Sequence, residues 1–147
     1  MSEEVKAKVP PPYPLAIVIC DDIHQDPATG KRYLLGTFSV IHARVFPAVH
    51  PRLAVLVVLT NGRGKVPFKF QLVDADEERD PLFVAEGELE FTDPRAILEL
   101  GFSLSNLTFP APGEYRFQFF GSDEFLIERR MVLAPMDETD EQHGHEA

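Results

Sequence analysis

Residues able to do chemistry crowd into one run near the start of the chain, Ile19-Cys-Asp-Asp-Ile-His-Gln-Asp-Pro-Ala-Thr-Gly-Lys31. It holds three carboxylates (Asp21, Asp22 and Asp26), a histidine (His24) and the only cysteine, Cys20. Calcium binding is the first chemistry such a set suggests. A single loop of the EF-hand kind needs a bidentate acid at its twelfth position. Counted from Asp21 that residue is Arg32, and from Asp22 it is Tyr33, so one loop alone fails. A two-loop site resembling the calcium-binding end of a C2 domain survives the test. In it Asp22 and Asp26 would share one end of the fold with Asp74, Asp76 and Asp80 of the later run "DADEERD".

A thiol nucleophile is the second chemistry. Cys20 would need a base, His24 or His42, within hydrogen-bond reach. It closes an apolar run, however, and free cysteine is among the most buried residue types. No neighbour able to lower its pKa is visible, so no catalytic residue is expected. The third possibility is a purely structural turn. Asp26 would accept hydrogen bonds from nearby backbone N–H groups, Gly30 would supply a positive φ, and Lys31 would lead into the next strand. The turn is the expectation and calcium the alternative. Elsewhere, "NGRGK" lacks the spacing of a phosphate loop, and His143-Gly-His145 offers two imidazoles, an incomplete metal shell.

The elements that must position these residues read as strands. "FKFQLVD" puts Phe68, Phe70 and Leu72 on one face, "EYRFQFF" does so with Tyr115, Phe117 and Phe119, and "ILELGFSL" with Leu98, Leu100, Phe102 and Leu104. A period of two marks strands with one buried face. Two runs, "LAIVIC" (15–20) and "LAVLVVL" (53–59), are apolar throughout and predict central strands covered on both sides. Turn residues separate about eight strands, which predicts an antiparallel two-sheet β-sandwich, Greek-key, jelly-roll or immunoglobulin-like. Asp93-Pro94 could start a short helical turn over 93–100. Residues 1–13 are expected to form a flexible Pro-rich segment, 14–135 the sandwich, and 136–147 a disordered acidic tail with five carboxylates and no Lys or Arg.

Composition narrows the function. The chain has 147 residues, enough for one domain, and a formal net charge of −10, which opposes binding to nucleic acid or an anionic membrane. One cysteine makes no intramolecular disulfide, and the opening residues do not read as a secretory signal, so a cytoplasmic protein is expected. Twelve Phe and no Trp place the aromatic weight inside and argue against a carbohydrate platform. Apolar residues at both parities, as in Phe119-Phe120, Phe125-Leu126-Ile127 and Val132-Leu133, require a second cover. The N-terminal segment, a second copy or a protein partner could supply it.

The run 19–47 also resembles the opening of a family of small bacterial proteins of unknown function. The residues that carry the resemblance are Cys20, Asp21, Asp26, Thr29, Gly30, Lys31, Leu35, Gly36, Phe38, Phe46 and Pro47, joined by "PAPGEYRFQFF" and "ERRMVL" near the end. The likeness covers most of 14–134 and implies a shared fold and a bacterial origin, without an activity. The combined expectation is a non-catalytic interaction or assembly module with no cofactor. A calcium- or small-ligand-binding sandwich is the alternative.

Overall fold

A computed structural model of the chain describes residues 9–76 and 79–136. Most of the expected flexible opening segment and nearly all of the expected acidic tail lie outside these residues. The chain forms nine strands: β1 (Tyr13–Gln25), β2 (Arg32–Thr37), β3 (Val40–Ala43), β4 (Ala48–Thr60), β5 (Gly64–Asp74), β6 (Phe83–Phe91), β7 (Leu98–Phe109), β8 (Gly113–Gly121) and β9 (Glu124–Pro135). They build two stacked sheets, ordered β2-β1-β4-β7 and β3-β9-β8-β5-β6. Every pairing is antiparallel except β3 with β9. The fold is an all-β sandwich.

The ninth strand arises where the sequence suggests one continuous run, "LLGTFSVIHA". Gly36, at φ +70, lies within β2. Thr37 still pairs with Cys20, and Phe38 N still donates to Ile19 O at 3.2 Å. Only after Ser39 does the chain join the second sheet as β3. The expected helical turn at 93–100 is also replaced. Asp93 accepts a hydrogen bond from Arg95 N, and its carbonyl accepts one from Ala96 N at 2.9 Å, which closes a single turn. Strand β7 then begins at Leu98, because its alternating apolar residues gain more by facing the core than by winding on.

Phenylalanines weld the two layers. Phe70 of β5 stacks on Phe102 of β7 with centroids 4.2 Å apart, and Phe117 lies 5.8 Å from Phe70 within the second sheet. Tyr115 is buried with its hydroxyl satisfied, donating to Ala111 O at 2.6 Å. This is the condition on which a buried Tyr is tolerated.

The doubly apolar strand β4 is covered on its core face by the second sheet and on its other face by the chain itself. Strand β1 pairs with β4 only as far as Cys20↔Ala54. Beyond that point the β1–β2 hairpin leaves the sheet plane as an arm. Arg32 on the arm meets Glu99 at 2.7 Å, and Asp22 meets Arg52 at 2.8 Å. Glu99 pairs with Val58, whose neighbours Val57 and Leu59 point into the core, so the arm lies over the outer face. Ile23 packs there 3.4 Å from where a Cβ on Gly101 would sit. Beneath it Cys20, Ala54 and Leu56 are 0%, 1% and 6% exposed.

The second sheet has a smaller cover. Pro12 is buried against its end, where a Cβ on Gly121 would lie 3.2 Å from Pro12 Cδ, and Val9 packs on the core. Among the described residues the rest of that face is unevenly exposed: Val84 and Phe125 stand open, whereas Gln71, Val73 and Gln118 are buried.

If the arm is the second cover of β4, Ile23→Ala should lower stability by about 1–2 kcal/mol, less than the 2–5 of a fully buried site. Urea unfolding checks this, and native-state alkylation of Cys20 should accelerate in the variant. An unchanged midpoint and an inert thiol would show that the arm covers nothing.

Candidate functional site

The run 19–31 forms the bend and tip of the arm. Asp26 organises the tip: one carboxylate oxygen accepts from Ala28 N at 3.1 Å and the other from the Thr29 hydroxyl at 2.9 Å. Its backbone N–H donates to Lys31 O and its carbonyl accepts from Gly30 N, each at 2.8 Å. Gly30 sits at φ +77, and Lys31 N donates to Thr29 Oγ1 at 3.2 Å. An Asp carboxylate closing a turn of this kind substitutes for backbone partners the loop lacks.

The five carboxylates of the two-loop calcium site are not brought together. Asp22 and Asp26 ride on the arm, over the outer face of the four-stranded sheet. Asp74 ends β5 in the other sheet, where it is buried and bonded to Arg79 at 3.1 Å. Asp76 and Asp80 follow it as exposed loop residues. The bend after Cys20 is the physical reason: it carries the first loop across β4 and away from the second sheet. Among the described residues no group of three or more His, Cys, Asp or Glu side chains stands in metal-holding geometry.

Cys20 is fully buried, and its thiol donates to Asp22 O at 3.3 Å. Burial pushes its pKa up, the backbone hydrogen bond to Asp22 opposes this, and the nearby charges of Asp21 and Asp22 add lesser pushes upward. A thiol held protonated and dry is a poor nucleophile. His24 stacks loosely on Tyr33 at the arm surface, 6.1 Å between centroids.

What sequence reasoning missed is a groove of about 380 Å³ at the corner between the sheets. Asp21, Phe38, His42 and His50 line it, from β1, the β2–β3 link, β3 and β4. The Asp21 carboxylate lies against the face of Gly36 where a side chain would otherwise stand, so only glycine fits there. His50 pairs with Leu107 across the β4–β7 ladder. Asn106, at φ +54, shifts the alternation so that Leu107 and Phe109 return to the core. That shift also turns His50 inward, and Asn is one of the few residues that adopts the conformation readily. The His50 Nε2 is shut from solvent without a hydrogen-bond partner among the described residues. Burial lowers the His50 pKa, opposed by the Asp21 charge and the Arg52 backbone. The only sequence signal was an "HPR" interrupting an apolar strand, and it names no partner.

The outer face of the second sheet carries a polar belt. Gln71 Nε2 donates to Gln118 Oε1 at 2.8 Å, and Gln118 Nε2 donates to Glu128 Oε1 at 3.1 Å. Arg116 pairs with Glu114 at 2.8 Å. Two shallow grooves flank the belt, one of about 490 Å³ by Phe68, Lys69 and Phe120, the other of about 580 Å³ by Val40, Arg129 and Val132.

With this geometry established, comparison with known proteins decides the kinship. The model of a family described as "Family of unknown function (DUF6941)" matches residues 15–134. The chain belongs to that family. The match spans all nine strands apart from their outermost ends, so the arm, the corner groove and the belt all fall within the family region. No curated protein matches the chain. Among solved structures it is similar to the Pseudomonas fluorescens alkylpurine DNA glycosylase AlkC, at 12% identity and a TM-score of 0.44, over 80% of this chain and 30% of that one. A glycosyl hydrolase family 2 member from Bacteroides cellulosilyticus aligns at 20% identity and 0.42, over 60% and 13%. The β-glucosidase EmGH1 from Erythrobacter marinus aligns at 19% and 0.43, over 66% and 14%. The chain spans less than a third of each of these proteins, and at such values the likeness says nothing about activity.

Two outcomes test the site. Because the folded-state pKa of His50 is lowered, the unfolded chain takes up its proton first as pH falls. The stabilising effect of a neutral His50 is therefore complete above the usual histidine pKa and is lost as pH falls below it toward the lowered folded-state value. Melts of His50→Gln should decline less steeply over that window than wild type, with His24, His42 and the carboxylates common to both. Separately, Asp26→Ala should cost about 1 kcal/mol through lost turn hydrogen bonds. Millimolar Ca²⁺ should leave the melting midpoint of the metal-stripped protein unmoved, whereas a site at a hundred times its Kd would add about 2.7 kcal/mol.

Proposed function

We propose that the chain is a non-catalytic protein-interaction module that binds through the outer face of its five-stranded sheet. One observation carries this reading. Val40, Val84, Phe125 and Val132, each 39 to 52% exposed, all stand on that one face. Ladder partners fix the assignment: Val84 lies beside Gln71, Val132 beside Val40 and Glu114, and Phe125 beside Phe120. The outer face of an antiparallel sheet is ordinarily polar and solvated. Apolar residues gathered around a hydrogen-bonded belt instead match the mixed anatomy of a protein interface, with aromatic anchors and pre-paired polar groups.

The partner this surface fits is another protein with an apolar centre. Phe120 and Phe125 meet edge to face, 5.8 Å apart, and Lys69 lies 5.7 Å from the Phe120 ring. An aromatic pair of that size is a suitable anchor. Arg116 and Arg130 both stand beside Glu114, at 2.8 and 3.8 Å, so basic and acidic groups alternate there and do not form the unbroken basic face that a polyanion requires. The protonated, buried Cys20 supports a module without nucleophilic chemistry. Asp26 commits both carboxylate oxygens to its own turn, which supports a reading without calcium. No helix among the described residues is long and apolar enough to cross a membrane.

The test is quantitative affinity capture from an extract of the source organism, comparing wild type with a Phe125→Ser/Val132→Ser variant. The reading expects at least one protein to be retained by wild type and lost from the variant, whose melting midpoint should move little because both residues are exposed. Identical retention by both proteins would remove the sheet face from consideration.

A further inference from the structure

Four strands end the two sheets, and three of them are guarded. The first half of β1, which pairs only with β4 because β2 joins it at Cys20, is a further open stretch and carries Pro14. Strand β6 carries Glu86, Glu88 and Glu90 along its length, β2 is six residues long and starts with Arg32, and β3 has four residues. Folded proteins blunt open edges with charge, brevity or proline, since unpaired N–H and C=O groups template further strand pairing. Strand β7 is the least guarded, with neither brevity nor proline and a regular stretch from Leu98 to Ser105 before the irregularity at Asn106. It runs for twelve residues, "LELGFSLSNLTF", pairs only with β4 in the sheet, and carries a single charge, Glu99.

We propose that β7 is a homodimer edge, pairing antiparallel with β7 of a second copy about a two-fold axis at Gly101. The pattern of residues 98–104 selects that occupant. Read outward from Gly101, Leu100 matches Phe102, Glu99 matches Ser103, and Leu98 matches Leu104. Antiparallel pairing on this centre therefore sets Leu100 opposite the partner's Phe102 and Leu98 opposite the partner's Leu104. All of these lie on the core side, where Leu98, Leu100 and Phe102 are only partly buried in one copy. On the other side Glu99 meets the partner's Ser103, so no like charges face each other. Residues directly opposite in a two-fold interface must be self-complementary, and this stretch is. On the outward side Ser103 and Ser105 are small and exposed, which leaves room for the approach, while Gly101 lies beside Ile23 of the arm and Glu99 is held by Arg32. Joining the edges makes one eight-stranded sheet from two four-stranded ones. The surface is separate from the outer face of the five-stranded sheet, so either can fail without the other.

The charge lever is Ser103. Ser103→Glu would set two symmetry-related Glu–Glu pairs across the interface, and Ser103→Lys two Lys–Glu pairs. Sedimentation of the full chain from low to high micromolar concentration is expected to show a dimer. Its Kd should rise about tenfold in Ser103→Glu and fall several-fold in Ser103→Lys, the size of two cross-strand pairs. Matching monomer melting midpoints would exclude misfolding as the cause. Hydrogen exchange at high concentration should slow at the outward-facing amides of 98–104, and only there along the open edges. A monomer at every concentration overturns the proposal. So does a dimer whose Kd is the same in both variants, since its contact must then lie elsewhere.

Discussion

The structure depends on keeping one strand dry on both faces. Leu53, Val55, Val57 and Leu59 of β4 enter the core, while Ala54 and Leu56 point the opposite way and are as thoroughly buried. A two-layer sandwich covers only one of those faces. Leaving the other open would expose contiguous apolar surface at the centre of the smaller sheet, at about 25 cal/mol for each Å². The chain meets the requirement by bending β1 after Cys20 and laying the β1–β2 hairpin back across β4 and β7. The bend, the glycine at 36, the ion pairs Asp22–Arg52 and Arg32–Glu99, and the Asp26 turn at the tip all follow from that solution.

Much of this was legible in the sequence, and the residues show why. Period-two runs such as "FKFQLVD" and "EYRFQFF" announce one buried face directly, because side chains alternate along any stretch of regular strand. The continuous apolar run of β4 announces a double cover as well, whereas "LAIVIC" keeps it only near Cys20: Leu15 is 47% exposed, and β2 flanks β1 only from Cys20 on. What supplies that cover is a tertiary fact: Ile23 and Gly101 are 78 positions apart in sequence, and no local pattern links them. The switch at Ser39 was hidden for a related reason. Residues 34–43 are uniformly compatible with strand, and no residue type among them marks the passage at Phe38-Ser39 from one sheet to the other.

The corner groove illustrates a subtler limit. His50 looks like a polar interruption near the start of β4, and alternation read back from Leu53 would send it to the same face as Arg52 and Ala54. Its inward position comes from Asn106 on the neighbouring strand, whose left-handed backbone shifts the facing of the residues around it. A side chain's surroundings can thus be decided by the conformation of a strand partner more than fifty residues away.

The chemistry-bearing run is best understood by where its capacity for bonding goes. A binding loop keeps oxygens and nitrogens convergent and available, so that a ligand completes them. Here Asp26 spends both oxygens within five residues of itself, Asp22 bonds Ile23 N and Arg52, and the Cys20 thiol is turned to Asp22 O. Each group satisfies the bend or the tip of the arm. Polar density in a sequence measures how much hydrogen bonding a segment can do, and a hairpin that must leave its sheet and cross another strand has lost ladder partners to replace. The same residues that suggest a site are those that a detached hairpin needs to hold its own shape.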